Sequence, residues 1–175
     1  MTLDHPHVVV LCTGNAARSV MVGQLLIAPT VGVRPSIHVS TAGTHAIEGR
    51  PVSSRTRAAL EALGLSAPGH RSHQLVDDDL VDAAVVVAME GDHVRYVRRR
   101  HPGAAARTAT LRRLCRDLPG GGSPLVERVA ALDLASVDPE PWEDVADPAG
   151  HDEETFVACA RELDVLVTSL APRLG

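Results

Sequence analysis

His7-Val8-Val9-Val10-Leu11-Cys12-Thr13-Gly14-Asn15-Ala16-Ala17-Arg18-Ser19 is the stretch on which the reading of this chain turns. Its first five residues are a short, apolar, β-branched run of the kind that forms a buried strand. Thr13-Gly14-Asn15 is turn-forming, and an apolar helical pattern follows from Arg18 to Ala28. A strand, a tight loop and a helix in that order aim successive backbone N–H groups at one point and add the positive end of the helix dipole. An anion is expected there. The cysteine stands where the strand stops, and the same field, with a guanidinium nearby, favours its thiolate form. Gly14 permits backbone angles closed to other residues. Arg18 can grip two oxygens of a phosphoryl group in a bidentate fork, and Ser19 can donate a hydrogen bond to the sulfur.

Outward from this loop, strands alternate with helices. Ile37–Thr41 and Ala83–Met89 read as further strands, and Arg107–Leu111 as a short fourth one. Pro51–Leu63 is expected to be helical, with Ser53 or Ser54 as its cap and Gly64 as its stop, and Gly91–Arg100 helical until Pro102. Phe156, Cys159, Leu163, Leu166 and Leu170 recur at steps of three and four and mark a C-terminal helix with Cys159 on its core face. Leu125, Val129 and Leu132 suggest one more amphipathic helix, between the breaker Pro119-Gly-Gly-Gly-Ser-Pro124 and the proline-rich Asp138–Pro141. The alternation implies an α/β fold with parallel strands, helices on both faces, and ligands at the carboxyl ends of the strands.

The 175 residues are 45% hydrophobic and 22% charged, which fits one compact domain spanning 1–175. A net charge of −5 argues against a protein that neutralises nucleic-acid phosphates over a wide surface. No apolar run approaches the roughly 18–20 residues of a membrane span. The opening MTLDHPHVVVLC lacks a basic stretch followed by a long apolar one, so a cytoplasmic location and no membrane partner are expected. Cys12, Cys115 and Cys159 are too few and too far apart for a disulfide scaffold or a four-cysteine metal site. Nine histidines raise the question of a metal, but His70 with His73, and His151 with Asp152, form no recognised ligand set. Neither metal nor cofactor is expected. Arg98-Arg99-Arg100-His101, with Arg112, Arg113 and Arg116, reads as a solvated helix end more readily than as a basic patch.

Cys12-Thr-Gly-Asn-Ala-Ala-Arg18-Ser19 resembles the C-x5-R-S loop of the low-molecular-weight protein tyrosine phosphatases, and further matches follow in order. Ser40-Thr-Ala-Gly43-Thr44 is similar to that family's Ser-Ala-Gly-Thr segment, Gly69-His70-Arg71 to its Gly-His-Arg, Ala88-Met89-Glu90 to its Ala-Met-Asp, and Asp147-Pro148 to its acid loop. The resemblance implies a three-layer sandwich around a four-stranded parallel sheet, and a metal-free phosphomonoester hydrolase working through a phosphocysteine. It implies Cys12 as nucleophile, Arg18 as phosphoryl clamp and Asp147 as general acid. The loop Thr13, Gly14, Asn15, Ala16, Ala17 and Ser19 would bind phosphate. Asn15 and His70 would hydrogen-bond each other to hold the loop, and Glu90 would sit behind the acid loop. The expected partner is a phosphorylated protein or a small aryl phosphate, with the chain a monomer or weak homodimer.

The chain also departs from the family's pattern. The aromatic walls that often hold the substrate ring are replaced by His45-Ala46-Ile47 and by Ala149-Gly150, leaving Trp142 as the candidate substitute. Ala17 stands in place of a second cysteine and Val20 in place of proline. The extended connection at about 117–141 carries an extra helix expected to cover or reshape the pocket mouth. Three rivals follow from the same loop. An arsenate reductase needs a resolving cysteine pair in mid-chain, where only Cys115 occurs. Bacterial protein arginine phosphatases carry threonine four residues after the nucleophile, where this chain has Ala16. A non-catalytic phosphate-binding module would have no need of both Cys12 and Asp147.

Overall fold

The structure is a computed structural model and describes residues 5–28 and 36–175; residues 1–4, weighed above for a targeting signal, lie outside it. Four strands, β1 (His7–Cys12), β2 (His38–Gly43), β3 (Ala83–Ala88) and β4 (Thr108–Thr110), form one sheet in the order β2-β1-β3-β4. Every pairing is parallel, with Val8 opposite Val39 and Val85, and Val86 opposite Thr108. The central strands β1 and β3 are the two valine-rich runs, buried on both faces from Val8 to Cys12 and from Ala83 to Ala88 as a covered parallel sheet requires.

Among the described residues six α-helices accompany the sheet: α1 (Arg18–Ile27), α2 (Ser54–Ala62), α3 (Gly91–Arg100), α4 (Leu111–Asp117), α5 (Leu125–Ala130) and α6 (Glu153–Leu170). Val8, Val10, Val85, Val87 and Ala109 meet α1, α2, α6 and the short helices α4 and α5 in one core. On the other face Val9, Leu11 and Val86 pack with Leu75, Leu80 and Val97 of α3. The result is the expected three-layer arrangement. Ser53 caps α2, its side chain accepting from the Thr56 amide, and Gly64, with φ of 71°, ends that helix in the left-handed region that glycine enters without strain.

Two expectations need correction. Leu111 does not continue the fourth strand; β4 is three residues long, and the Thr110 hydroxyl accepts from the Arg113 amide, starting α4 at Leu111. The extra helix does not roof the pocket. Leu125, Val129 and Leu134 join the main core, and Arg128 donates to the carbonyls of Ser123, Pro119, Arg173 and Gly175, tying α5 to the C-terminal segment. Farther along, Arg98 donates to the Leu134 and Val137 carbonyls and Arg95 to the Pro139 carbonyl. The extension is thereby clasped along α3 and delivers the chain to Asp147. The arginines are accordingly dispersed: Arg98 works on this segment, while Arg113 is buried against Glu143.

Candidate active site

The carboxyl ends of β1, β2 and β3 converge on residues 12–19. Cys12 ends β1, 3% exposed, and Arg18 opens α1, 1% exposed. Between them Asn15 adopts φ of 50°, a left-handed conformation that asparagine tolerates better than most side chains. It is completely buried and its side-chain amide is fully engaged. Nδ2 donates to Ser19 Oγ at 3.0 Å and to Thr41 Oγ1 at 2.9 Å, and Oδ1 accepts from the His73 amide at 2.9 Å. Ser19 Oγ, which accepts from Asn15, lies 3.0 Å from Cys12 Sγ, within hydrogen-bond distance.

His70 does reach Asn15, but through the main chain: its Nε2 donates to the Asn15 carbonyl at 2.7 Å, not to the side-chain amide. The asparagine side chain is already taken by Ser19, Thr41 and His73. Thr56 Oγ1 donates to the Ala16 carbonyl, a support from α2 that no local pattern announces. From β2, Thr44 N donates to the Cys12 carbonyl and His45 N to the Thr13 carbonyl. Gly43 allows that approach: a Cβ there would stand 2.6 Å from the Thr13 carbonyl oxygen and 2.9 Å from the Asn15 nitrogen. The carbonyls of Cys12, Thr13, Asn15 and Ala16 are thus each held by a donor from outside the loop.

Arg18 is held by three groups. Nη1 is paired with Glu90 and donates to the Val145 carbonyl at 2.7 Å, and Nη2 lies 2.9 Å from Asp147 Oδ2. Glu90 thus stands behind the guanidinium, and Asp147 in front of it, partly exposed. The Val145 amide donates to the Met89 carbonyl and Asp144 accepts from the Gly91 amide, pinning the segment before Asp147 to the end of β3. A Cβ on Gly91 would come 2.8 Å from Pro139 Cβ, so this junction is close-packed.

Trp142 is not an aromatic wall of this site. Its ring lies beneath the guanidinium of Arg116, 4.4 Å from the ring centroid, and its Nε1 donates to Glu140. His45 and Ile47 are exposed beside the loop, with the His45 ring edge-on to Tyr96. The other two thiols lie elsewhere. Cys115 donates to the Leu166 carbonyl, and Cys159 is in the core on α6, where burial pushes its pKa up to about 12. His73 places one nitrogen on Glu48 and the other on Asp79. Among the described residues no group of three or more His, Cys, Asp or Glu side chains is arranged to hold a metal ion.

Comparison with known proteins agrees with this geometry. Residues 7–119 match the family described as low molecular weight phosphotyrosine protein phosphatase. The protein-arginine-phosphatase of Geobacillus stearothermophilus is 30% identical over 164 residues, covering 94% of this chain and 93% of its own. Among solved structures, YwlE arginine phosphatase from Geobacillus stearothermophilus superposes with a TM-score of 0.75 at 30% identity, over 97% of this chain and 92% of that one. The low molecular weight protein tyrosine phosphatase from T. tengcongensis gives 0.74 at 27% identity, over 94% and 97%. The family match ends before Asp147.

Proposed function

This chain belongs to the low molecular weight phosphotyrosine protein phosphatase family and is a phosphatase; on that premise we propose that it acts on phosphorylated proteins through a phosphocysteine at Cys12. The observation that carries this reading is Cys12 Sγ 3.0 Å from the Ser19 hydroxyl, at the base of a loop whose arginine pairs with the Asp147 carboxylate. In the first step a Cys12 S–P bond forms as the P–O bond to the leaving group breaks, and Asp147 gives that oxygen its proton. Arg18 and the loop amides stabilise the charge on the three equatorial oxygens. In the second step water attacks phosphorus, Asp147 takes its proton, and the S–P bond breaks to regenerate the thiolate. Each charge role is filled by a side chain or amide of the protein, so the reaction needs no metal ion. All the participating groups come from one chain, and a monomer suffices. Residues 1–175 act in this reading as one domain, with 117–141 as an internal connection.

Aryl phosphate monoesters, with phosphotyrosine as the protein substrate, are the first expected class. A second class, phosphoarginine, is favoured by one finding, the similarity over almost the full chain to a relative named as a protein-arginine-phosphatase. The mouth here has Ala16, Ala149 and an exposed Ile47, and among the described residues no aromatic pair stands there to clamp a flat ring. Parallel kinetics on phosphotyrosine and phosphoarginine peptides of one sequence distinguish the two. Arsenate reduction is disfavoured because Cys115 is engaged on α6 and Cys159 is buried in the core. Thiolate chemistry at Cys12 requires a reducing compartment, which supports placement in the cytoplasm. The intermediate is tested directly by quenching Asp147→Ala during turnover and finding one phosphoryl group on the Cys12 peptide by mass spectrometry. A phosphoryl group on any other residue, or none while product accumulates, contradicts the mechanism.

A further inference from the structure

His93, in the first turn of α3, is 3% exposed and lies against the phosphate-binding loop, yet no step written above uses it. Its hydrogen bonds determine which nitrogen holds the proton. The Glu90 amide can only donate, and it stands 3.1 Å from Nδ1, so Nδ1 presents a lone pair. Burial, and then the charge of Arg18, bring the imidazole pKa down to about 4. The ring is therefore neutral at the pH where such chemistry runs, with its single proton on Nε2. Nε2 is 2.9 Å from Thr13 Oγ1, and it must donate there. Among the described residues no other group bonds that hydroxyl, so its own hydrogen remains to be given to an incoming oxygen. Thr13 directly follows Cys12.

We propose that His93 is a positioning residue which, by donating to the Thr13 hydroxyl from behind, turns the threonine proton toward the oxygens of the phosphate ester bound at Cys12. A hydroxyl free to rotate would spend much of its time with that proton elsewhere; one already serving as acceptor on its protein side is preorganised as a donor on the other. The Glu90 amide holds the ring, and the ring holds the threonine. The carboxylate of the same Glu90 pairs with Arg18, so one residue orients two donors of the site by different groups. This inference rests on the phosphatase reading for its catalytic consequence, but not for its effect on anion binding.

Two replacements separate the role from simple packing. His93→Asn keeps an acceptor for the Glu90 amide but is too short to reach Thr13; His93→Gln extends an amide N–H to the position of Nε2. We expect His93→Asn and Thr13→Val each to lower kcat/KM for p-nitrophenyl phosphate about tenfold, mainly in kcat, the loss of one oriented hydrogen bond. The double variant should be no slower than Thr13→Val, and His93→Gln should recover most of the activity. Inorganic phosphate affinity, measured in the Cys12→Ser background, should show the same non-additive pattern. Losses that multiply in the double variant, or a lowered melting temperature with kinetics and phosphate affinity unchanged, overturn the proposal. If the wild type shows no turnover, the phosphatase reading fails by itself, and the phosphate affinities still decide for or against His93.

Discussion

Arg18 Nη2 lies 2.9 Å from Asp147 Oδ2, so the group assigned to the phosphoryl oxygens and the group assigned to the leaving oxygen are each other's partners. In the mechanism we propose, an arriving phosphate ester would bring its own oxygens to the guanidinium in place of the aspartate. Asp147 would then lose its counter-charge and be available to the ester's leaving oxygen. Substrate binding and readiness of the acid would be coupled through this one contact.

This coupling makes the effect of Asp147→Asn depend on the leaving group. Phenyl phosphate, whose leaving oxygen needs its proton, should lose roughly 10²–10⁴-fold in kcat, and p-nitrophenyl phosphate much less. Steady-state kinetics on the two esters check this, and equal losses remove Asp147 from the acid role.

Gly43 tests the close approach of β2 to the loop. An added methyl would meet main-chain atoms of Thr13 and Asn15 at 2.6 and 2.9 Å, and neither can swing aside as a side chain would. Gly43→Ala should cost about 1–3 kcal/mol of stability and depress kcat/KM as well, because the displaced atoms belong to the loop. Gly69→Ala, where a Cβ meets nothing within 4 Å, is the matched control and should change neither. Denaturant unfolding and activity of the two variants decide the matter.

Arg128 separates scaffold from site. It is buried and donates to four carbonyls that join the 117–141 connection to the C-terminal segment. Arg128→Met should lower stability by roughly 2–4 kcal/mol through unsatisfied carbonyls and lost packing, yet leave kcat/KM for p-nitrophenyl phosphate within about threefold of wild type. A large kinetic loss in protein that remains folded would give the connection a part in the pocket after all.

The acid limb of stability should carry the mark of His93. Its folded pKa of about 4 lies below the ordinary 6.5, so the unfolded chain binds the proton first. Stability is therefore full above pH 6.5 and declines as pH falls from there toward 4, by about 3 kcal/mol in all. The charged or titratable groups bearing on it are Arg18, Asp147, Asp92 and His45. Urea unfolding at intervals across this range should show the decline in the wild type and a flatter limb in His93→Gln; parallel limbs contradict the assignment.

What was legible in the sequence followed distance along the chain. The valine runs, the Ser53 cap and Gly64 stop of α2, and the strand-loop-helix order around Cys12 are local patterns, and they lie where they were expected. Leu111 was read into the fourth strand because the Thr110-x-x-Arg113 cap sits at the very end of that strand and leaves no gap between the two elements. His93 gave no signal, since its partner Thr13 is 80 residues away and nothing in Gly91-Asp92-His93 marks a contact. His70 meets Asn15 through its carbonyl rather than its side chain, because Ser19, Thr41 and His73, far apart in sequence, already occupy the asparagine amide. Trp142, the candidate substitute for the missing aromatic wall, is instead held by Arg116 and Glu140, contacts that no local pattern marks.

The most direct test of cysteine-based, metal-free phosphatase chemistry is steady-state hydrolysis of p-nitrophenyl phosphate by wild type and Cys12→Ser, in EDTA with a thiol reductant, from pH 5 to 8. We expect turnover in the wild type, undiminished by the chelator, and none in Cys12→Ser, which still binds inorganic phosphate. Equal turnover in both proteins, or a wild type that folds and binds phosphate but releases no p-nitrophenol, would contradict it.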